Sequence, residues 1–248
     1  MRSLAILAAL VVIPLMAQTT TIQPPTSATA TEKRTFALQS GGKLNVSTLN
    51  GAVKVTAWDR NEVSLTAEFK ASSDGDHTRL EIVSKTNSLE LTVTRTQNRD
   101  RSTGPRRGAV CNLELMVPRN IVSNLNTVNG SIAFASITGD NTIKAVNGSI
   151  TLEDVSGNLK VKTVNGSIKG SIKDVDKNLD ISTTNGSIKV KLLNPNGAVQ
   201  ASRTNGSIKL SIPGAYDFES SKRNVSAKFG NGKANLTFRT VNGSITIE

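Results

Sequence analysis

The densest set of side chains that could bind a ligand lies in one polar segment, residues 95–107, with the sequence RTQNRDRSTGPRR. Its five arginines are Arg95, Arg99, Arg101, Arg106 and Arg107. A guanidinium group donates paired hydrogen bonds that suit phosphate, sulfate and carboxylate groups. Because Pro and Gly interrupt the segment between two alternating runs, we interpret it as a loop. It is therefore a candidate anion-binding loop; the alternative is a solvated loop without a ligand.

A second basic feature recurs later in the chain. The string Asn-Gly-Ser-Ile is followed by a lysine in three consecutive copies, at Lys169, Lys189 and Lys209. If the copies stack in register, these lysines form an outward column with steps of ~4.8 Å. Like charges at this separation repel, so an anionic partner would stabilise the column. Both basic features predict contact with an anionic polymer or a lipid surface.

The overall charge points to the same class of partner. The chain has 30 Lys and Arg against 19 Asp and Glu, which gives a formal net charge of +11. For an exported protein this charge favours acidic envelope polysaccharide or lipid head groups, or it simply aids solubility. Nucleic acid is not expected, because only 3% of the residues are aromatic and few side chains can stack on bases.

No arrangement of residues indicates catalysis, a cofactor or a metal ion. The chain has one histidine, His77, and one cysteine, Cys111, which lies in an apolar run typical of a buried side chain. The acidic residues of the repeats do not recur in one column; they are Asp140, Glu153, Asp154, Asp174, Asp176 and Asp180. We interpret them as turn and surface residues. The alternative function, a carbohydrate-active β-helix enzyme acting on polysaccharide, would need carboxylates clustered on neighbouring coils.

The N-terminus has the pattern of a secretory signal. A positively charged start is followed by an apolar run over residues 4–15 and by Ala17 as the cleavage point. The run is short for a transmembrane helix, although an uncleaved anchor is the alternative. We expect a signal peptide over 1–17, a flexible Thr/Pro-rich linker over 18–34 and one domain over 35–248. The protein is therefore expected to be exported: periplasmic, cell-surface or secreted.

The elements that must position the basic residues follow from a repeat. Asn-Gly-Ser-Ile occurs six times, with spacings of 18, 18, 20, 20 and 37 residues. Its asparagines are Asn129, Asn147, Asn165, Asn185, Asn205 and Asn242, and a weaker copy begins at Asn50. Apolar and polar residues alternate on both sides of each copy, which predicts two short strands with one apolar face. A period near 19 residues indicates one unit stacked on itself.

Two all-β architectures fit this repeat. One is an antiparallel meander or barrel of Asn-Gly hairpins. The other is a single-stranded β-solenoid with coils of 18–20 residues. A hairpin needs only Asn-Gly, whereas constant Ser and Ile suggest contacts between equivalent residues of stacked coils. We therefore favour the solenoid, with the six asparagines as an amide ladder at a corner and Gly in a positive-φ conformation.

The C-terminus adds a hypothesis about assembly. The last residues, 244–248, continue an alternating strand pattern without a polar cap after it. A solenoid end that is not capped exposes a strand edge, which can pair with another chain. Homo-assembly through this C-terminal edge is therefore a further expected interaction.

Taken together, the chain resembles a known family. The resemblance is carried by the early turn over 49–55, by residues 58–63 (WDRNEV), by residues 113–119 (LELMVPR) and by the Asn-Gly-Ser-Ile units. In order and period these are similar to the putative adhesins with β-strand repeats, a domain of unknown function. The resemblance covers residues 35–248 and implies a right-handed, single-stranded β-solenoid on an exported protein. It implies no activity and no catalytic residues, so we expect a non-enzymatic envelope binding or scaffolding protein.

Overall fold

The computed structural model describes residues 17–23, 29–70, 77–96, 109–174, 177–231 and 233–248, which form two β-sheets around one core. The twelve-stranded sheet contains, in spatial order, β1 (Gln18–Ile22), β6 (His77–Lys85), β7 (Ser88–Thr96), β3 (Gly42–Asn50), β9 (Ile121–Asn129), β11 (Asn141–Asn147), β13 (Leu159–Asn165), β15 (Leu179–Asn185), β21 (Ala234–Asn242), β17 (Gly197–Asn205), β20 (Asn224–Phe229) and β19 (Tyr216–Ser220). The ten-stranded sheet contains β18 (Ile208–Leu210), β22 (Ile245–Ile247), β16 (Ile188–Leu193), β14 (Ile168–Lys173), β12 (Ile150–Val155), β10 (Ile132–Ala135), β4 (Val53–Trp58), β8 (Val110–Pro118), β5 (Glu62–Lys70) and β2 (Ala30–Ala37).

Each repeat is one coil of a β-solenoid. The strand before Asn-Gly lies in the twelve-stranded sheet and the strand after it lies in the ten-stranded sheet, so the string marks the corner between them. Neighbouring coils pair in parallel and in register, with Asn147 opposite both Asn129 and Asn165. The solenoid prediction is confirmed. The hairpin meander is wrong for the repeats, because the two strands that flank each Asn-Gly belong to different sheets.

The core is built from two stacked columns of apolar side chains. One column is the repeated isoleucine, buried at Ile132, Ile150, Ile168, Ile188 and Ile245. The other lies four residues before each asparagine, buried at Leu125, Ile143, Val161, Ile181 and Phe238. Full burial of such a side chain stabilises the fold by about 1.5–3 kcal/mol. The alternation read from the sequence therefore assigns the inward faces of both sheets.

The repeated glycine has a different role from the one the sequence suggested. Among the corner glycines, a positive φ in the left-handed range occurs only at Gly51, Gly206 and Gly243. What the others share is close contact: a Cβ added to Gly166 would lie 2.2 Å from the carbonyl oxygen of Gly148 in the next coil. Glycine is therefore required because stacked corners bring two backbones together, and only some corners also use its conformational freedom.

The coils do not stack in chain order. The last unit, β21 and β22, is inserted between the unit of β15 and β16 and the unit of β17 and β18. The inserted unit carries Leu236 and Phe238 where β17 carries Val199 and Ala201. Both pairs of side chains are buried, since β20 covers the other side of β17.

The insertion corrects two expectations. Lys169 lies opposite Lys189, but Thr246 of β22 separates Lys189 from Lys209, so the three lysines are not consecutive. The C-terminal strand is also not an edge, because β22 pairs with β16 on one side and with β18 on the other. The prediction of assembly through the C-terminal strand is therefore wrong in its location, because the edge strands at this end are β18 and β19.

Antiparallel strands cover the N-terminal end of both sheets and the far end of the twelve-stranded sheet, whereas β18 is the edge of the ten-stranded sheet. At the N-terminal end, β1, β6 and β7 pair antiparallel in the twelve-stranded sheet, and β2, β5 and β8 pair antiparallel in the ten-stranded sheet. The innermost strands of these two sets, β7 and β8, pair in parallel with the solenoid strands β3 and β4. At the other end the hairpin of β19 and β20 pairs with β17. These strands shield the parallel coils from edge pairing.

Part of the expected linker is strand. Within residues 18–34, β1 pairs with β6 and the first half of β2 pairs with β5, so these parts are ordered elements of the two sheets. Thr-rich segments suit strands, and Ile22 is buried in the core, which explains the difference. Of the predicted signal peptide, residues 1–16 lie outside the described part of the chain. The described residues include no helix with the length and hydropathy needed to span a membrane.

Candidate functional site

The repeated asparagines form a continuous ladder that also includes Asn50. At each step the Nδ2 of one side chain donates to the Oδ1 of its neighbour, at 2.8 or 2.9 Å. The spatial order is Asn50, Asn129, Asn147, Asn165, Asn185, Asn242 and Asn205. At the first end the Nδ2 of Asn50 donates to the carbonyl oxygen of Ala109 at 3.5 Å. The amides bind one another, so the ladder is a scaffold rather than a ligand site.

The other constant residues of the corner also bind their equivalents. The backbone N–H of Ser167 donates to the Oγ of Ser149 at 3.4 Å, and the same bond joins Ser187 to Ser167 at 3.3 Å. The threonine two residues before the asparagine donates to a glycine carbonyl of the next coil, as Thr163 does to Gly148 at 2.9 Å. These bonds explain why the whole string, and not only Asn-Gly, is kept.

The predicted arginine loop falls mostly outside the described residues. Arg99, Arg101, Arg106 and Arg107 lie in the range 97–108, which the structure does not describe. Arg95 is described, and it belongs to strand β7, where it lies opposite Thr78 of β6. The segment therefore begins as strand rather than loop, because β6 and β7 form a long antiparallel pair.

The predicted lysine column lies on the outer face of the ten-stranded sheet, next to acidic side chains. The Nζ of Lys189 lies 3.3 Å from Oε1 of Glu248. On the same face Lys173 pairs with Asp154, and Lys54 pairs with Glu114 at 2.7 Å. These carboxylates neutralise part of the face, which lowers its capacity to attract an anion.

The acidic residues of the repeats serve the second corner of the coil. Asp154 and Asp174 adopt positive φ angles of 52° and 46°, a conformation that Asp tolerates better than most residues. The ammonium of Lys173 and the hydroxyl of Ser171, both bonded to Asp154, hold the pKa of its carboxyl below the ordinary value. The Oδ1 of Asp140 accepts a hydrogen bond from Asn158 at 2.7 Å.

The remaining candidate residues that the structure describes lie on three different strands. Glu153 is exposed on β12, and Asp176 lies outside the described residues. His77 belongs to β6, and burial raises the pKa of the Cys111 thiol to about 12. Across the described ranges, no group of three or more His, Cys, Asp or Glu side chains could hold a metal ion.

A site that the sequence did not indicate lies on the outer face of the twelve-stranded sheet. An open groove of about 570 Å³ crosses strands β13, β15, β21 and β17, and we refer to it as the basic groove. It is lined by Lys160, Lys162, Asp180, Ser182, Thr183, Thr184, Ser202, Arg203, Thr204, Arg239, Thr240 and Val241. A depression of about 210 Å³ that shares Ser202 and Arg239 continues it toward β20.

Strand register places the cations of the groove in a regular row. Lys162, Ser182, Arg239 and Ser202 lie opposite one another on four neighbouring strands, and Lys144 of β11 precedes Lys162 in the same row. Successive strands are ~4.8 Å apart, so Lys162 and Arg239 stand about 10 Å apart with a hydroxyl between them. The row runs along the axis of the solenoid, perpendicular to the strands.

The cations of the groove differ from the lysines of the other face. Among the described residues, no ion pair engages Lys160, Lys162, Arg203 or Arg239. The groove also holds two buried polar atoms, Nε of Arg203 and Oδ1 of Asp180, without a hydrogen-bond partner in the described part of the chain. Four cations, one carboxylate and several hydroxyls give a net positive surface that can donate hydrogen bonds to an anion.

Sequence reasoning missed the groove for two reasons. All five members of the row lie three residues before a repeated asparagine, but only three of them are cations, so the column does not stand out in the sequence. The order of the units is not visible either: because the last unit is inserted before β17, Arg239 stands two strands from Lys162 instead of three. A search over all outward columns would have found Lys144, Lys162 and Arg239, but not the order of the strands that carry them.

Comparison with known proteins places the chain in a family. Proteins with curated descriptions gave no match. A crystal structure described as a putative cell adhesion protein from Clostridium sporogenes matches with 12% identity and a TM-score of 0.49, over 88% of this chain and 99% of that one. A structure described as a putative adhesin from Bacteroides fragilis matches with 9% identity and a TM-score of 0.26, over 88% and 97%. The Toastrack DUF4097 family model matches residues 16–248, and the chain belongs to this family.

Proposed function

We propose that this protein is an exported, non-enzymatic, adhesin-like binding module of the cell envelope that holds an anionic polymer along the basic groove. The observation that carries the proposal is the row of cations across β11, β13 and β21, which form no ion pair with any residue that the structure describes. Its members, Lys144, Lys162 and Arg239, lie on a rigid sheet whose register is set by the core. The side chains therefore need little reorganisation to meet a ligand.

The geometry favours a polymer over a small anion. The cations repeat along the solenoid axis in steps of one or two strands, about 5 and 10 Å. A chain with an acidic group on each repeat unit can contact several of them at once. The hydroxyls of Ser182, Thr184 and Ser202 lie between and beside the cations and can bind sugar hydroxyls or phosphate oxygens.

The basic features predicted from the sequence have a secondary part in this proposal. Lys169, Lys189 and Lys209 on the opposite sheet and the arginines of residues 95–107 add to the positive field that attracts the polymer. Export is supported by the apolar N-terminal run over residues 4–15. The repeat itself, as a hydrogen-bonded scaffold, supports a binding or scaffolding role rather than catalysis.

The test is a binding titration of the full chain at increasing salt, with three probes: polygalacturonate, inorganic polyphosphate and vesicles that contain anionic phospholipid. The variant is Lys162→Ser with Arg239→Ser, and the matched control is Lys169→Ser with Lys209→Ser, which removes the same charge from the other sheet. A third variant replaces Arg99, Arg101, Arg106 and Arg107 with Ser. The groove variant is expected to bind about tenfold more weakly and to reduce the slope of log K against log salt by about 2.

The outcomes separate the parts of the proposal. A change of about twofold or less in the control, beside the loss in the groove variant, supports the groove. Equal losses in both variants would mean that net charge alone drives binding and would contradict the groove. Binding to vesicles and not to either polymer would assign the anion to a lipid surface. Absence of binding to all three probes at low salt would contradict the proposed function.

A further inference from the structure

We propose that Asn205 is a site of spontaneous deamidation in the folded protein, whereas the other ladder asparagines are protected by the stack. The inference is independent of the proposed function. It rests on the Asn-Gly pairs of the ladder, which have the same dipeptide sequence but different structural neighbours. Asn-Gly is the dipeptide in which this reaction is least hindered, because glycine has no Cβ beside the attacking nitrogen.

The reaction consumes the side-chain amide in two steps. The backbone nitrogen of Gly206 attacks Cγ of Asn205, loses its proton to solvent and forms a five-membered succinimide. The bond between Cγ and Nδ2 breaks, and the nitrogen leaves as ammonia after it takes up a proton. Water then opens the ring at one of its two carbonyl carbons, which yields either aspartate or isoaspartate. Water and a mild base are the only co-reactants.

Inside the stack the attacking nitrogen is occupied. The N–H of each glycine donates to the carbonyl oxygen of the asparagine in the next coil, with distances of 2.9–3.2 Å between nitrogen and oxygen. The donors are Gly51, Gly130, Gly148, Gly166, Gly186 and Gly243. In the asparagine that precedes each of these glycines, the side-chain Oδ1 also accepts a hydrogen bond from the Nδ2 of the next ladder asparagine. Attack would require both coils to separate locally, which protects the amide.

Asn205 is the last member of the ladder and lacks these restraints. Its Nδ2 donates to Asn242 at 2.8 Å, but within the described ranges its Oδ1 accepts no bond and the N–H of Gly206 has no acceptor. Gly206 is also exposed, whereas the other corner glycines are half-buried or buried. The neighbouring hairpin pairs with β17 only as far as Ser202 and the backbone N–H of Arg203. Opening the end of this strand therefore breaks bonds to one neighbouring coil, that of β21 and β22, instead of two.

The chain contains its own matched control. Residues 184–189 and residues 204–209 have the same sequence, Thr-Asn-Gly-Ser-Ile-Lys. In the first, the N–H of Gly186 donates to the carbonyl oxygen of Asn242 at 2.9 Å; in the second, no residue in the described ranges accepts a bond from the N–H of Gly206. Because the local sequences are identical, a difference in rate between Asn185 and Asn205 must come from the structure.

The experiment incubates the folded full chain in mildly alkaline buffer made with ¹⁸O-labelled water and then maps the peptides by mass spectrometry. Asn205 is expected to gain the label at least ten times faster than Asn185. The variant Asn205→Ser should lose most of the mass gain that comes from the ladder. The same incubation in urea is expected to bring Asn185 and Asn205 to similar rates. The mapping also resolves Asn196-Gly197 and Asn231-Gly232, which lie outside the ladder.

Two results would overturn the proposal. One is equal rates at Asn185 and Asn205 in the folded protein, which would mean that the stack gives no protection. The other is a faster rate at Asn205 that persists unchanged in urea, which would mean that sequence rather than structure controls the reaction. Folding of the Asn205→Ser variant is verified by circular dichroism, and the comparison of Asn185 with Asn205 in the unmodified chain does not depend on any variant.

Discussion

The coil of β15 and β16 and the coil of β17 and β18 contain the same six-residue corner, yet they differ in almost every contact. Ile188 is fully buried, whereas Ile208 is only partly buried against the core. Asn185 both donates and accepts in the ladder, whereas Asn205 only donates. The role of a repeated string therefore depends on its neighbours: the corner of the first coil is covered on both sides, and the corner of the second on one.

The largest difference between the two coils is expected at glycine. A Cβ on Gly186 would lie 2.0 Å from the carbonyl oxygen of Gly166, and the coil cannot shift because the last unit covers its other side. Gly186→Ala is expected to lower the free energy of unfolding by at least about 4 kcal/mol or to prevent folding. Gly206→Ala meets a similar clash with Gly243 and also a positive φ of 124°, but the open end of the stack lets its backbone shift outward and relieve both, so its cost should be smaller. Urea unfolding followed by circular dichroism measures both; equal losses would contradict the comparison.

The next effect is expected in the core column. Ile188→Ala removes a fully buried side chain and should lower the free energy of unfolding by about 3 kcal/mol through lost burial and the cavity left behind. Ile208→Ala should cost about 1 kcal/mol, because this side chain is already partly in water and the end coil can collapse around the gap. The midpoints of urea unfolding give the comparison. A larger loss at Ile208 would show that the end coil is as tightly packed as the interior.

The ladder should show a smaller contrast. Asn185→Ala removes two amide hydrogen bonds, one to Asn165 and one from Asn242, and should cost about 1–2 kcal/mol. Asn205→Ala removes one bond and should cost about 0.5–1 kcal/mol. Thermal unfolding of both variants beside the parent protein tests the order. If the two variants have the same midpoint, the interior ladder bonds add nothing to stability.

The smallest effect concerns the covered N-terminal end and appears only at alkaline pH. Burial raises the pKa of Cys111 from 9.0 to about 12, so the folded state holds the thiol proton more tightly than the unfolded chain does. Stability from this group is therefore complete below pH 9 and is lost as the pH rises toward 12. In the folded protein the thiol should resist maleimide at neutral pH, whereas urea should expose it. Fast labelling without urea would show that β8 opens easily.

Much of the fold could be predicted from the sequence because the repeat determines where coils and strands begin. The period, the alternation and the constant Ile assign coils, strands and inward columns, since stacked equivalent residues must satisfy the same packing at every level. The role of Gly was misjudged, because conformational freedom and close backbone contact both select glycine and only coordinates separate them. The ends were also misjudged: residues 18–22 and 30–34 read as linker by composition, but they pair with β6 and β5.

The candidate site was less predictable than the fold. Outward positions vary from coil to coil because solvent tolerates many side chains, so the sequence contains little that marks Lys162 or Arg239 as special. The lysines that drew attention, at Lys169, Lys189 and Lys209, follow the repeated Ile and are visible for that reason. Their face proved to be partly neutralised by Glu248 and Asp154, which a sequence without the strand order cannot show.

By itself, the sequence determined that the chain stacks equivalent units in parallel, with Asn at one corner and Ile in the core. It could do so because these contacts are local to the repeat and recur in every coil. Only the tertiary structure decided the order of the coils, with the last unit inserted before β17. The repeat units share the same Asn-Gly-Ser-Ile corner, so the repeat alone permits more than one order, and contacts between units far apart in the chain select one. This order brings Arg239 within two strands of Lys162 and leaves Asn205 as the open end of the ladder.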